Sequence, residues 1–209
     1  MHVRPLTPDR LVAEVVDAID DRPRDSWVRV LVDGSPPTRP REWAGALVDP
    51  LRTRGRPVVQ VSAEDYLRPA SLRFERGRDD PDVMYEDWLD TGALVREVFA
   101  PLAAGGTGRI LPARHDAALD RAYRSEYVAV PPGGVVLVSG SLLLGCGLPA
   151  DLSVHLALSP SALARGTPEE ERWTLPAYGR YEVEAEPSRQ ADVVVLLDNP
   201  RHPALVECR

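Results

Sequence analysis

Apolar runs and amphipathic stretches alternate along most of this chain. A continuous apolar run is typical of a strand that is buried on both faces of a sheet. Such runs, which we predict as strands, occur at Val28–Val32, Pro57–Val61, Gly134–Ser139, Leu152–Leu158 and Ala191–Leu197. Because helical segments separate these runs, the pattern predicts an α/β fold with a doubly wound parallel sheet.

The helical segments are marked by apolar residues that recur every three or four positions and by capping signals. Thr7 and Pro8 are typical of a helix start, and Gly55 is typical of a helix end. The predicted helices start at Thr7, span about Pro40–Thr53 and Thr91–Leu102, start again at Ser159, and span Ala177–Glu186. The polar segment Ser62–Pro81 is too long for a simple connection, which favours a functional role.

The composition excludes several classes of protein. A net charge of −7 and a pI near 5.2 argue against a nucleic-acid-binding protein, which normally carries a basic face. Cys146 and Cys208 are too few and too far apart for a disulfide scaffold or a zinc site, and we predict no metal site. No apolar run approaches the length of a membrane span, and the N-terminus lacks the order of a signal peptide. We therefore expect a soluble, cytoplasmic protein without a membrane or nucleic-acid partner.

The segment 27–48, WVRVLVDGSPPTRPREWAGALV, has the strand–turn–helix setting of a phosphate-binding loop. The loop pattern is Gly-x-x-x-x-Gly-Lys-Ser/Thr, in which the lysine binds the β- and γ-phosphates and the hydroxyl binds magnesium. Counted from Gly34, the last three positions of this pattern are Arg39, Pro40 and Arg41. All 25 basic residues of the chain are arginine. The prolines of the loop also donate no backbone N–H to a phosphate.

Four segments, in a fixed order, carry a resemblance to a known family. They are VLVDG at Val30–Gly34, SAEDYLRP at Ser62–Pro69, ERGRDDPDVMYEDWLDTGAL at Glu75–Leu94, and ADVVVLLDNPRHP at Ala191–Pro203. They resemble the phosphate-loop strand, the Asp-Asp-Phe-Tyr segment, the Arg-Gly-Arg-Asp-x-Pro…Tyr-x-Asp run and the closing strand of the uridine kinase-like family of P-loop nucleoside kinases. A fifth set, Pro112, His115, Asp116 and Arg121, is similar to the family's nucleoside-binding Pro-x-x-Tyr-Asp…Arg segment. The resemblance covers nearly the whole chain after the first helix.

The resemblance implies a single P-loop kinase-like domain over residues 1–209, with a doubly wound parallel sheet, flanking helices and a small lid. Residues 1–24 would hold an N-terminal helix and residues 166–180 a reduced lid. The chain departs from the family at the end of the third strand, where Ser139 takes the place of a carboxylate near magnesium. The lid has only Arg172 and Arg180 as cations, and the three consecutive glutamates 169–171 would repel a triphosphate.

Two residues are candidates for acid–base chemistry. Asp65 matches the family's general base, which takes a proton from the nucleoside hydroxyl; its alternative is a solvated loop acid or helix cap beside Glu64. His115, next to Asp116, could be oriented as an acid or base, and its alternative is a structural histidine. The remaining histidines, which we predict to be structural or terminal, are His2, His155 and His202.

Further residues of the matched segments are candidates for substrate binding. They are Tyr66, Arg73, Arg76, Arg78, Tyr85, Asp116 and Arg121. For Tyr66 the alternative is packing, and for the loop arginines it is a solvated surface. Because the carboxyl ends of parallel strands meet at one crevice, we predict one cleft that contains Asp65, a member of the Pro112–Arg121 segment, and Arg73 or Arg76. The degenerate phosphate loop contributes Gly34, Arg39 and Arg41.

The sequence leaves three functions open. The protein could bind or transform a small polar metabolite without ATP, and then it needs no cofactor. It could instead be an active kinase that uses ATP and magnesium with Arg39 or Arg41 in the loop, or a non-catalytic binding or partner protein. Loss of one preorganised donor costs on the order of 10² to 10³ in rate, and here the lysine, the hydroxyl and the carboxylate are missing together. The sequence therefore favours the first function, and it leaves a homodimer open.

Overall fold

The computed structural model describes residues 2–207, and a seven-stranded sheet lies at its centre. In chain order, the strands are β1 (His2–Pro5), β2 (Val28–Gly34), β3 (Val58–Ser62), β4 (Arg109–Ile110), β5 (His115–Asp116), β6 (Arg121–Ala122), β7 (Val128–Ala129), β8 (Val135–Gly140), β9 (Leu152–Ala157), β10 (Val193–Leu196) and β11 (Ala204–Glu207). The order across the central sheet is β1-β11-β10-β9-β2-β8-β3. The four short strands form two separate hairpin-like pairs, β4 with β7 and β5 with β6.

Helices cover both faces of the sheet. The α-helices are α1 (Pro8–Asp20), α2 (Pro40–Thr53), α3 (Ala70–Arg73), α4 (Pro81–Asp87), α5 (Thr91–Leu94), α6 (Pro160–Gly166), α7 (Leu175–Glu184) and α8 (Pro187–Gln190). A π-helical turn, Val95–Phe99, continues α5, and 3₁₀ turns occur at Pro36–Thr38, Ala63–Tyr66, Ala100–Leu102 and Glu169–Thr174. In the part of the chain from residue 2 to 207, no helix has the length and apolar content needed to cross a membrane.

The central strands are parallel, as predicted. Five adjacent strands of the central sheet run in the same direction, namely β10, β9, β2, β8 and β3. The two strands β1 and β11 were not predicted, and they extend this sheet in antiparallel fashion. Each has only four residues, and β1 carries Arg4 and Pro5, so neither forms the apolar run that marks the other strands. The predicted N-terminal helix is present as α1, but a strand precedes it.

The apolar runs follow from burial on both faces. Along β2, Val30 and Val32 face the core beneath α1 and α2, whereas Leu31 faces a second core. Phe99, in the helical segment after α5, is fully buried in that second core. Successive side chains of a strand point to opposite faces, so a strand covered on both sides needs apolar residues throughout.

Two predicted helices differ in detail from those observed. The segment Thr91–Leu102 is helical throughout, as predicted, but it passes from α-helix through a π turn to a 3₁₀ turn that contains Pro101. The helix predicted at Ala177–Glu186 begins earlier, at Leu175, and a 3₁₀ turn precedes it. Residues 166–180, predicted as a reduced lid, are therefore largely helical and form a short arm that packs against α4.

Arg56 is a buried cation at the amino-terminal ends of the strands. Its side chain is 1% exposed. Its guanidinium donates to the carbonyl oxygens of Pro23 at 3.1 Å, Gly133 at 3.2 Å and Asp20 at 2.9 Å, and also to that of Arg22. The carboxylate of Asp20 lies 3.2 Å from Nε. These bonds tie the loops that enter β2 and β8 to the end of α2, far from the carboxyl ends of the strands.

Candidate functional site

The loop that follows β2 packs tightly against β9. Gly34 ends β2 and is buried. A side chain at this position would collide with the hydroxyl of Thr38, and its Cβ would lie 2.8 Å from Cβ of Leu156. Thr38 is itself only 5% exposed. The close approach of the loop to Leu156 of β9 therefore requires a glycine at position 34, and the Thr38 side chain fills the space beside this glycine.

The hydrogen-bond donors of Thr38 and Arg39 are directed back into the loop. The N–H of Thr38 and its hydroxyl both donate to the carbonyl of Ser35, at 2.9 Å and 2.7 Å. The N–H of Arg39 donates to the carbonyl of Pro36 at 2.9 Å. The three prolines of the loop have no N–H to offer. A phosphate-binding loop instead presents successive N–H groups to the anion.

The two arginines of the loop have acidic neighbours. Arg39 adopts a left-handed backbone conformation, with φ of 55°, at the start of α2. Its guanidinium is exposed and lies 3.1 Å from the carboxylate of Glu42. Arg41 is exposed and lies close enough to Asp65 to oppose the rise in the pKa of that carboxyl that burial causes. Ser139, which stands where the family has a carboxylate, is buried within β8.

Asp65 lies in a polar cluster with Arg41, Asp116 and Tyr123. Partial burial raises the pKa of Asp65, and the negative charges of Glu64 and Asp116 raise it further. The charge of Arg41 and a hydrogen bond from Tyr123 act in the opposite direction. The structure thus brings together Asp65 and Asp116, both predicted site residues. Tyr123 is 42% exposed, and no pattern in the sequence indicates that it belongs to this cluster.

His115 is buried, and its acidic neighbour is not the predicted one. Its Nε2 lies 3.4 Å from the carboxylate of Asp120, which also accepts from the N–H of Ala70 at 2.7 Å. The carboxylate of Asp116 accepts instead from the N–H groups of residues 118 and 119, at 3.0 Å and 2.9 Å. Nδ1 of His115 is buried without a hydrogen-bond partner among the residues that the structure describes. Asp116 thus shapes a turn and does not orient the histidine.

Two predicted substrate-binding residues lie in the interior. Tyr66 is fully buried, and its hydroxyl donates to the carbonyl of Leu111. Packing, the alternative for Tyr66, is therefore what the structure shows. Arg73 is 5% exposed, and it is neither solvated nor turned to a cleft. Its guanidinium donates to the carbonyls of Arg68 at 2.7 Å and Ala117 at 3.0 Å, and it also stacks on neighbouring aromatic rings.

Three of the remaining candidates lie on the surface. Arg76, Arg78 and Arg121 are exposed, and the guanidinium of Arg78 lies 5.4 Å from the ring centre of Phe74. Tyr85 is half-buried on α4, and the guanidinium of Arg180 lies 4.7 Å from the centre of its ring. Burial raises the pKa of Tyr85. Of these four, Tyr85 alone lines a cavity that opens beside the phosphate loop at Pro36.

This cavity, the α4 cleft, has a volume of about 200 Å³ and lies between the phosphate loop, α4 and the segment after β8. Its polar lining residues are Glu64, Tyr85, Glu86, Thr91, Ser141, Cys146 and Tyr178. Its apolar lining includes Leu67, Met84, Trp88, Leu89 and Leu142. No arginine lines it, and Asp65 is not part of its wall, although the adjacent Glu64 is. The cleft therefore offers acceptors, hydroxyls and apolar surface, but no cation.

The arm formed by residues 166–180 is closed on α4. Arg180 on α7 lies 2.6 Å from the carboxylate of Asp82 and 3.0 Å from that of Glu86. The rings of Trp173 and Trp88 lie 5.6 Å apart between their centres. The other arginine of the arm, Arg172, lies 3.2 Å from Glu169. Both arginines that the family resemblance would assign to a phosphate are thus next to carboxylates.

A second polar cluster was missed in the sequence and lies directly below the phosphate loop. Asp33, the last residue before Gly34, is completely buried. Its carboxylate accepts from the N–H of Leu143 at 2.9 Å and from the hydroxyl of Tyr181 at 2.9 Å. Nδ1 of His155 lies 2.7 Å from the same carboxylate. Burial raises the pKa of Tyr181, and the charge of Asp33 adds to this.

A signal for this cluster was present in the sequence. Asp33 directly follows the run Val28–Val32, His155 lies inside the run Leu152–Leu158, and polar groups that are buried with such runs need partners. Their strands, β2 and β9, are adjacent, and Asp33 and His155 are paired in register. The positions differ by 122 residues, so only the order of strands in the sheet could have joined them.

Comparison with known proteins gives matches in structure but not in sequence. No family model matches the chain, and no curated protein matches it significantly. A structure described as a possible uridine kinase from Bacillus stearothermophilus matches with a TM-score of 0.71 and 18% identity, over 88% of this chain and 96% of that one. The YGR205w protein matches with a TM-score of 0.63 and 9% identity, over 97% of this chain and 100% of that one. A D-glycerate 3-kinase from Cryptococcus neoformans var. grubii matches with a TM-score of 0.55 and 17% identity, over 86% and 80% of the two chains.

Proposed function

Because the chain has the fold of the uridine kinase-like and related P-loop kinases, we propose that it binds or transforms a small molecule in the α4 cleft without transferring phosphate from ATP. The observation that carries this proposal is the self-contained phosphate loop. The N–H groups of Thr38 and Arg39 and the hydroxyl of Thr38 donate within the loop. The residues present therefore do not fit MgATP, and no step of the proposed function passes through it.

The cations that an active kinase would need are also engaged. Phosphoryl transfer depends on positioned positive charge. Arg39 lies next to Glu42, Arg41 lies near Asp65, and Arg180 bridges two carboxylates of α4. Turning any of these groups toward a phosphate would leave a carboxylate without its partner, so the alternative of an active kinase is disfavoured.

The lining of the α4 cleft indicates the class of ligand. Glu64 brings negative charge to the cleft, whereas the charge of Glu86 is paired with Arg180, and no arginine is among the lining residues. A phosphate or carboxylate ligand would be repelled, whereas a neutral or cationic molecule would not. The apolar and aromatic lining favours a flat or apolar body, and Ser141, Tyr178 and Thr91 can bond to its hydroxyl or amide groups. A neutral nucleoside-like molecule meets these requirements.

Glu64 is the proposed ligand contact in the α4 cleft, and Asp65, the next residue but outside the cleft wall, is the proposed acid–base residue for a substrate that extends past Glu64 toward Asp116 and Tyr123. The raised pKa of Asp65, caused mainly by burial, suits a proton acceptor that works nearer to neutrality than a free carboxylate does. Asp65→Asn keeps the shape and removes the basic oxygen, so it should abolish turnover and leave the fold intact. Glu64→Gln should weaken binding and leave the pH dependence of turnover in place. Full activity of Asp65→Asn, once a substrate is known, would exclude this role.

A thermal-shift screen tests the proposed function. Uridine, cytidine and adenosine are compared with their 5′-monophosphates and with MgATP. We expect at least one neutral nucleoside to stabilise the protein, and the matching monophosphate to stabilise it less. Met84→Trp places a large ring in the cleft and should remove the shift, whereas Val183→Trp adds the same ring where the side chain is 77% exposed and should not. Preference for the monophosphates, or a shift that survives Met84→Trp, would contradict the proposal.

A further inference from the structure

A second cavity lies on the other side of Tyr178 and Leu142 from the α4 cleft. This α7 cavity has a volume of about 140 Å³ and lies between β9, α6 and α7. Most of its wall is aliphatic, and Leu156, Leu158 and Leu163 contribute to it. His155 and Glu182 are among its few polar lining residues. The cavity plays no part in the proposed function.

His155 brings an unused acceptor to this cavity. Its side chain is 4% exposed, and Nδ1 is bonded to Asp33. Nε2 is buried without a hydrogen-bond partner among residues 2–207, and the nearest carboxylate oxygen, on Glu182, is 3.9 Å away. A buried polar atom without a partner is unusual and calls for an explanation.

The surroundings of Asp33 fix which nitrogen of His155 carries the proton. The N–H of Leu143 and the hydroxyl of Tyr181 already donate to the Asp33 carboxylate. An ionised carboxylate only accepts hydrogen bonds, so Nδ1 of His155 must be the protonated nitrogen. In the neutral ring Nε2 then presents a lone pair, and a suitable partner must be a hydrogen-bond donor.

We propose that the α7 cavity is a binding site for a small apolar alcohol or phenol, whose hydroxyl donates to Nε2 of His155 while its hydrocarbon part lies against the leucines. Negative charge on Glu182 and on Asp33 behind the histidine excludes phosphates and carboxylates. Asp33 acts as a positioning residue, since it holds the ring in the tautomer that accepts from the ligand. Glu182, with its side chain 51% exposed, lies at the outer side of the cavity, and its movement would admit the ligand.

Phenol and anisole test this proposal, because anisole replaces the hydroxyl proton with a methyl group. Binding is followed by titration with ¹⁵N-labelled protein, with the Nε2 resonance of His155 as the local readout. We expect saturable binding of phenol with a shift of that resonance, and binding of anisole about tenfold weaker, in line with the loss of one hydrogen bond. Equal affinity for the two compounds, or no saturable phenol binding, would overturn the proposal.

A pair of variants localises the site. Leu163→Trp fills the cavity and should remove phenol binding, while Val183→Trp adds the same ring on the exposed side of α7 and should leave binding unchanged. If Leu163→Trp fails to fold, Asp33→Asn serves instead, because it alters the tautomer that the ring prefers and should weaken phenol more than anisole. Phenol binding that persists with the cavity filled would place the ligand elsewhere and refute the proposal. Met84→Trp, which blocks the α4 cleft, should leave phenol binding intact, so failure of the two proposals can be told apart.

Discussion

Replacement of Asp33 by alanine gives the sharpest test of the cluster below the phosphate loop. Asp33 is completely buried, and its carboxylate accepts hydrogen bonds from Leu143 N–H, the Tyr181 hydroxyl and Nδ1 of His155. The alanine side chain offers no acceptor to any of these donors. All three donors lie in the interior, where water does not replace the lost oxygen atoms.

The expected loss of stability is large. A buried donor that loses its acceptor costs about 1–3 kcal/mol, and a hydrogen bond to a charged group contributes about 1.5–3 kcal/mol. Because the three bonds share one carboxylate, their contributions do not simply add, and we expect about 3–5 kcal/mol. For a chain of this size, 1 kcal/mol corresponds to about 2–4 °C in Tm, so Tm should fall by about 6–20 °C.

Urea unfolding followed by circular dichroism, with calorimetry for Tm, measures this loss. Asp49→Ala is the matched control, because the Asp49 side chain is 93% exposed, and it should change the free energy of unfolding by less than about 0.5 kcal/mol. Asp33→Asn should give an intermediate loss of stability, since the amide NH₂ of asparagine then faces a hydrogen-bond donor where a carboxylate oxygen had accepted. If Asp33→Ala unfolds within about 1 kcal/mol of its control, the cluster does not have the buried, fully bonded geometry described above.

Two further predictions concern a structural cation and a titrating carboxyl. Arg56→Met should lower the free energy of unfolding by about 3–5 kcal/mol, because it leaves the backbone carbonyls of the loops before β2 and β8 without donors. Arg52→Met, at an exposed position, is the control. Equal effects of the two substitutions in urea unfolding would contradict the role of Arg56. Burial raises the pKa of Glu182, His155 opposes this and Asp33 adds to it. The stability linked to protonated Glu182 is therefore present below the unfolded-state pKa and lost as pH rises through the folded-state pKa. Glu182→Gln should thus be more stable than wild type near neutral pH and lose this advantage at about pH 4, close to the ordinary carboxyl pKa. A series of Tm values measured at different pH tests this. A gain in Tm that is constant with pH would contradict a raised pKa of Glu182.

The central sheet could be predicted from the sequence because its strands are covered on both faces. Continuous apolar runs such as Gly134–Ser139 arise from that double burial. The edge strands β1 and β11 could not be predicted, since four residues with mixed polarity leave no pattern. Asp65 and Asp116 come together because the N–H of Arg114 donates to the carbonyl of Asp65 at 3.2 Å, which joins their two segments.

The roles of individual side chains were harder to predict. The sequence places Arg73 in a polar loop, yet tertiary contacts turn its guanidinium inward onto two carbonyls. The sequence predicts a structural or terminal role for His155, and its bond to Asp33 depends on the adjacency of two strands that are distant in sequence. Tyr123 comes from a short hairpin with no apolar pattern of its own. Each of these roles depends on which helices, strands and loops are neighbours in the fold, and this cannot be predicted from the local sequence.

Calorimetric titration with MgATP tests the central claim most directly, with magnesium alone as the blank and an active uridine kinase as the positive control. A ligand at a hundred times its Kd adds about 2.7 kcal/mol of stability, which corresponds to a Tm increase of about 5–11 °C for a chain of this size. Since the loop donors of Thr38 and Arg39 are used internally, we predict no saturable heat and no such increase at millimolar MgATP. Saturable, magnesium-dependent binding of ATP together with phosphate transfer to a nucleoside would contradict the account and establish an active kinase with an unorthodox loop.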